Sequence, residues 1–236
     1  MDAGASCKAL LEGIEAVGGR VSDIAAVAVT HTHIDHIKGL KAFIKKTGLP
    51  VAASAKTLEK LIADGLIPEG ARVIPADEGS LSFGDISLTY FHTSHDCDGS
   101  GGYVITAPNG SRAAVCTDLG VVTEEVRQAL FGSNAILLES NHDINMLKKG
   151  PYPPQLKLRI MSDKGHLSNN ACASELPALI RGGTTRIVLG HLSLHNNMPS
   201  LALSAARSML AGEGITAGSD CILTVAKPKL SEVMVF

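Results

Sequence analysis

The stretch VAVTHTHIDHIKGL, Val27 to Leu40, decides how this chain is read. It starts inside a short apolar run, Ile24 to Thr30, of small and β-branched residues, the pattern of a buried strand. His31, His33, Asp35 and His36 then follow within six residues. Imidazole is the commonest nitrogen ligand for zinc and similar ions, and residues two apart in an extended segment point the same way. His31 and His33 are therefore placed to hold one ion, with Asp35 and His36 just beyond to serve a second. Two-metal sites hold their ions roughly 3.5–4 Å apart and usually share a bridging carboxylate. Asp118 in VCTDLG, at the end of another strand-like run, is the natural bridge, and His95 and His191 complete two ligand sets. The plain alternative is a solvated histidine-rich turn or histidines satisfied in a core. Spacing of this kind directly after an apolar strand favours metal.

Outward from this stretch, strand and helix patterns alternate. ASCKALLEGIEAVG (residues 5–18) has helical apolar spacing, and IKGLKAFIKKTG (37–48) predicts a helix ending at Gly48. Ile37, Leu40 and Ile44 share one side of that helix and Lys38, Lys41 and Lys45 the other. LPVAAS predicts a strand, and SAKTLEKLIADG a helix with a Ser cap and a Gly stop. Hairpins are expected around Gly84-Asp85 and Asn109-Gly110. A helix near Thr123–Leu130 precedes a strand in AILLES, and residues 141–170 read as mixed loop and helix. NNACASELPALIRGG is helical, limited or kinked at Pro177. RIVLGHLS is a strand, PSLALSAARSMLAGEG a helix, and CILTVAKP and EVMVF are closing strands. The alternation implies stacked sheets covered by helices, with metal-binding residue types recurring at strand ends.

Composition narrows the partners. The chain has 236 residues, 45% of them hydrophobic, enough for a sizeable core. A net charge of −2 gives no global basic field, so any nucleic-acid reading rests on local clusters. The chain has no Trp and only eight Phe and Tyr together, which argues against an aromatic base-stacking surface. Five scattered cysteines without CxxC spacing fit a reducing compartment. With no signal peptide and no apolar run of membrane-spanning length, a cytoplasmic protein with no membrane partner is expected.

HxHxDH resembles the signature of the metallo-β-lactamase fold, and SHD, TDLG, LLESNHD, GPYPPQLKLRI, GHLSNN and VLGHLS follow in order. The series is similar to the YycJ/WalJ family of metallo-β-lactamase-fold nucleases over nearly the whole chain. The resemblance implies an α+β fold, an αββα sandwich, with residues 1–236 as a single domain. It also implies two divalent ions, zinc or manganese. His31, His33, His95 and Asp118 would hold one ion, and Asp35, His36, Asp118 and His191 the other. Family members carry N-terminal strands leading into a similar Asp-Ala-Gly, whereas here Asp2 is almost the first residue, so those opening strands are expected to be missing.

GHLSNNACA followed by VLGHLS also resembles the paired histidine motifs of tRNA 3′-processing endonucleases. That match makes His166 a histidine facing the scissile phosphate and His191 a metal ligand. His142 in SNHD is left open among extra ligand, supporting partner of a ligand, and phosphate contact, and is grouped with the substrate-binding residues. His92 and His195 read as structural or surface residues. Catalysis falls to Asp35, which would orient the attacking water, and His166, which would stabilise phosphate charge or protonate the leaving oxygen.

Lys148, Lys149, Lys157, Arg159 and Lys164 face only Asp163 in their stretch, which suits contact with a phosphate backbone, most directly through Lys157 and Arg159. An ordinary solvated face is the alternative. The family resemblance implies a DNA exonuclease. Two other readings stay open: a hydrolase of small esters (thioester, lactone or cyclic phosphodiester), and a non-catalytic regulatory metal-binding module.

Overall fold

The apolar run before the histidines forms β1 (Val27–Ala28), which pairs in parallel with β2 (Val51–Ala53), itself parallel to β3 (Val73–Pro75). In this computed structural model, which describes residues 1–227, the chain is α+β and divides into two units. The first takes Met1–Tyr90 and Cys97–Gly101, and the second takes Phe91–Asp96 and the chain from Gly102 on. The strand expected over EVMVF (232–236) lies outside the described residues.

In the first unit β1 is shorter than the apolar run because Thr30 leaves the ladder: its N–H donates to the Asp2 carboxylate at 2.8 Å. The helix expected over residues 37–48 is broken in two, α2 (Ile34–Ile37) and α3 (Leu40–Thr47). Periodicity runs through the break, but the Gly39 N–H donates to Ala3 O at 2.7 Å, and a Cβ on Gly39 would sit 1.9 Å from Ala5 O. The backbone of residues 3–5 thus occupies the place of a continuing helix. Gly48, at φ 70°, stops α3 as expected. Ile37, Leu40, Phe43 and Ile44 are buried with Val29, Val51, Leu58 and Leu61, and Lys38, Lys41 and Lys45 are exposed. Helix α1 (Cys7–Ala16) and α4 (Ala55–Ala63, capped by Ser54 Oγ) complete the helical part. Strands β4 (Leu81–Phe83) and β5 (Ile86–His92) form the hairpin turning at Gly84-Asp85, and β5 runs on into the second unit.

The second unit carries β6 (Gly101–Thr106) from its second residue on, β7 (Arg112–Cys116), β8 (Ala135–Glu139), β9 (Arg186–Gly190) and β10 (Ile222–Val225), in the order β10-β9-β8-β7-β6. β6 and β7 are the expected antiparallel hairpin, and β7, β8, β9 and β10 run parallel. Helix α5 (Glu124–Leu130) links β7 to β8, and α9 (Pro199–Gly212) links β9 to β10. Between β8 and β9 lie α6 (Ile144–Lys149), α7 (Pro154–Ile160) and α8 (Asn169–Arg181). Pro177 is buried inside α8 without ending it.

Alternation sets the core: Ile136 and Leu138 of β8 and Ile187 and Leu189 of β9 are buried with Val126, Leu130, Leu176 and Leu210 of the helices. Truncating one such leucine to alanine costs about 2–5 kcal/mol. Among the described residues no helix is long and apolar enough to cross a membrane.

Candidate metal centre

Parallel strands deliver their carboxyl ends to one edge of a sheet, where sites in such folds form. Here the register aligns Cys116 with Leu138 and Leu138 with Leu189, so the residues that follow emerge side by side. Asp118 follows β7, Glu139 closes β8 opposite Gly190, and His191 follows β9. His166 arrives from the loop before α8. A Cβ on Gly165 would lie 2.2 Å from Ile160 O, so the loop can take this path only with glycine there. One donor atom each from Asp118, Glu139, His166 and His191 lie within 4.8 Å of one another. Imidazole and carboxylate are the ligand types that zinc and manganese take, and of these four residues Glu139 has both oxygens engaged by protein N–H groups.

The hydrogen bonds fix the tautomers. Glu139 is fully buried, and its Oε1 lies 2.9 Å from His166 Nδ1 and 2.5 Å from His191 Nδ1. A carboxylate only accepts, so both Nδ1 atoms carry protons and both Nε2 atoms carry the lone pair. The other oxygen, Oε2, accepts from the N–H groups of Leu119 (3.1 Å) and Leu167 (3.2 Å). His95 follows the same rule, with Nδ1 3.1 Å from Gly165 O and Nε2 3.9 Å from Asp118 Oδ1. Histidines that bind metals are held in this way, one nitrogen fixed by a protein acceptor and the other presented outward. His166 and His191 lie 3.8 and 3.5 Å from Asp118 Oδ1. The geometry treats the two alike, and their division into phosphate-facing residue and ligand comes from the sequence.

Burial alone would raise the pKa of Glu139, but hydrogen bonds and charge from His166 and His191 outweigh it and hold the carboxyl below the usual range. Burial lowers the pKa of His95 against the opposing pull of Asp118. His142 is 2% exposed, its Nδ1 has no hydrogen-bond partner, and burial pushes its pKa down to about 4. The strand end is clamped from behind: Ser140 N–H donates to Gly190 O and Asn141 Nδ2 to His191 O, each at 2.9 Å.

In the first unit Asp2 plays the part that Glu139 plays in the second. Asp2 Oδ2 lies 2.8 Å from His36 Nδ1 and accepts from Thr30 Oγ1 at 2.9 Å, and Thr30 Oγ1 lies 3.0 Å from His31 Nδ1. The His31 ring centroid is 4.6 Å from that of His33 and 4.2 Å from that of His36. Asp35 is exposed in the first turn of α2, 3.7 Å from His36 Nε2. Strain marks both clusters. Among the described residues the non-glycine positions at positive φ are Asp2 (54°), Asp118 (61°) and His191 (54°), each a cost of about 1–3 kcal/mol that persists only where its surroundings enforce it.

The structure thus brings together His31, His33 and His36 in one unit, and His95, Asp118, His166 and His191 in the other. Lys157 and Arg159, on α7, are engaged within the chain: Lys157 Nζ donates to Lys148 O at 2.9 Å, and Arg159 pairs with Asp96. Sequence reasoning missed Glu139 and Asp2 as site residues. A carboxylate closing an otherwise apolar strand, as in AILLE, is the signal that could have found Glu139.

A beta-lactamase superfamily domain matches residues 2–192. The chain is 37% identical over 233 residues to the exodeoxyribonuclease YycJ of Bacillus anthracis, covering 98% of this chain and 87% of that one. It is 31% identical over 223 residues to the exodeoxyribonuclease WalJ of Streptococcus pneumoniae, covering 93% of this chain and 82% of that one. The crystal structure of the metallo-beta-lactamase fold protein YhfI from Bacillus subtilis matches with a TM-score of 0.66 at 17% identity, over 97% of this chain and 83% of that one. At that identity the likeness is one of fold.

Proposed function

The chain belongs to the beta-lactamase superfamily and, within it, to the YycJ/WalJ family, and from that premise we propose that it is a divalent-metal-dependent hydrolase that digests DNA from an end. Relatives named as exodeoxyribonucleases support the substrate. The observation that carries the chemistry is Glu139, a buried carboxylate holding two histidines at the carboxyl edge of three parallel strands.

Divalent ions bound to such residues supply an activated water and neutralise charge on the phosphoryl group. His191, His95 and Asp118 would serve as ligands from the second unit, and His31, His33, Asp35 and His36 from the first, for two ions of zinc or manganese. The chain's own groups do the rest. Glu139 holds the Nδ1 proton of His166 and sets the ring so that Nε2 faces outward, from where a proton held on it would pass to the leaving oxygen. Asp35 would orient the attacking water. Lys157 and Arg159 would meet the phosphate backbone, and His142 would support the substrate side from its buried position. Five free cysteines fit a cytoplasmic setting.

A panel of single-stranded DNA, RNA, a thioester and a lactone, offered to metal-loaded protein, tests the proposal. Turnover of DNA with release of mononucleotides is expected. Turnover of the thioester or lactone alone would replace the nuclease with a small-ester hydrolase, and no turnover at all would leave a binding module.

A further inference from the structure

His191 also lines a cavity of ≈ 320 Å³, together with Leu192, Leu194, Asn197, Pro199 and Lys227 among others, all in the second unit. We propose that this cavity receives the base and deoxyribose of the terminal nucleotide, beside the phosphodiester that is cut. The proposal rests on the nuclease reading of the same site.

Three observations carry it. The first is continuity: His191 belongs to the cluster on Glu139 and also lines the cavity, so a nucleotide whose phosphate faces the histidines has its sugar and base beside Leu192 and Leu194. The second is size and surface. The volume is at the small end of ligand sites and suits a single nucleoside. Leu194, 81% exposed, lines the cavity and offers an apolar surface on which a planar base can lie. Apolar side chains hold unstacked bases in this manner.

The third observation is what the polar groups are already doing. Asn197 is buried, its Nδ2 donating to Ser140 O (2.8 Å) and Asn141 O (3.0 Å), and its Oδ1 accepting from Asn169 Nδ2 (2.9 Å) and Met198 N–H (2.8 Å). Ser193 Oγ accepts from Asn196 N–H at 3.2 Å. The Asn197 amide, the group best suited to read a base edge, is spent on shaping the loop, so the cavity grips a base chiefly by its faces. It should therefore accept all four bases alike, as an enzyme digesting any sequence requires.

The test compares two chromogenic phosphodiesters, the p-nitrophenyl ester of thymidine 5′-monophosphate and methyl p-nitrophenyl phosphate, on the parent and Leu194→Ala, with thymidine monophosphate binding measured in parallel. Leu194 is exposed, so the variant keeps its fold. Leu194→Ala should raise KM for the nucleoside ester about tenfold and weaken nucleotide binding equally, leaving kcat and all constants for the methyl ester unchanged. The four deoxynucleoside monophosphates should bind within about threefold of one another, under the 1.4 kcal/mol that a tenfold preference requires. Unchanged KM and binding in Leu194→Ala would overturn the cavity assignment while DNA digestion by the parent left the nuclease reading standing. Nucleotide binding that falls in Leu194→Ala, in a parent that digests no DNA, would keep the cavity and overturn the nuclease reading. Strong preference for one base would overturn recognition by faces alone.

Discussion

Replacing Glu139 by Gln keeps the shape of the side chain and removes one property, the ability of both oxygens to accept. In the parent, Oε1 takes the Nδ1 protons of His166 and His191, and Oε2 takes the N–H groups of Leu119 and Leu167. An amide has one accepting oxygen. Turned toward the histidines, its NH2 faces two backbone N–H groups; turned the other way, it faces two imidazole N–H groups. Either way two buried donors lose their acceptor, at about 1–3 kcal/mol each, so Glu139→Gln should lose roughly 2–6 kcal/mol. For a chain of this size that lowers Tm by about 2–4 °C per kcal/mol. The histidines can relieve part of the cost by moving their protons to Nε2, which takes the lone pair from the atom that faces a metal. Metal affinity should accordingly fall about 10–100-fold. Differential scanning calorimetry with and without metal, beside competitive metal titration, reads both effects. The stability gap should close at low pH: a carboxyl with a lowered folded pKa contributes above its ordinary value of 4.5 and loses that contribution as pH falls toward the folded value. A Glu139→Gln protein with parental metal affinity and Tm would refute this account of the site.

Asp118→Ala should lose both bound metal and turnover, whereas His166→Ala should keep the metal and lose most turnover; elemental analysis beside a phosphodiesterase assay separates them, and metal loss in His166→Ala would make it a ligand. Joint replacement of Lys157 and Arg159 by Ala should flatten the salt dependence of DNA affinity by about 0.7–0.9 in log–log slope for each phosphate no longer neutralised. An unchanged slope would leave Arg159 to its pairing with Asp96 and Lys157 to Lys148. His142, held neutral down to about pH 4 against an ordinary value of 6.5, binds a proton more readily unfolded. The metal-free parent should therefore lose about 3 kcal/mol more stability than His142→Gln as pH falls from 6.5 to 4. Denaturant unfolding across that range compares the two.

What the sequence reveals about this site depends on how local each signal is. His31, His33, Asp35 and His36 are legible because their ligand spacing lies within one turn of chain after a strand, and Asp118 and His191 because each ends an apolar run. Glu139 is silent locally. Its role exists only once β8 is in register with β9 and the loop carrying His166 folds back onto it. Asp2 is silent in the same way, since its partner Thr30 lies 28 residues on. Hairpins at Gly84-Asp85 and Asn109-Gly110 were legible from turn chemistry. The break at Gly39 was not, because apolar periodicity crosses it and only the backbone of Ala3 and Ala5 forbids a continuous helix. Strand β3, VIP, is three residues long and ends in proline, too short to carry a pattern.

The central claim is that this chain breaks phosphodiester bonds at a DNA end through metal held by these histidines and carboxylates. Its most direct test is release of mononucleotides from uniformly labelled single-stranded DNA, by protein stripped with a chelator and then reloaded with zinc or manganese. The account predicts no release from stripped protein and restored release, as mononucleotides from the earliest time points, on reloading. Digestion that survives stripping, or reloaded protein that binds metal yet releases nothing, would contradict it.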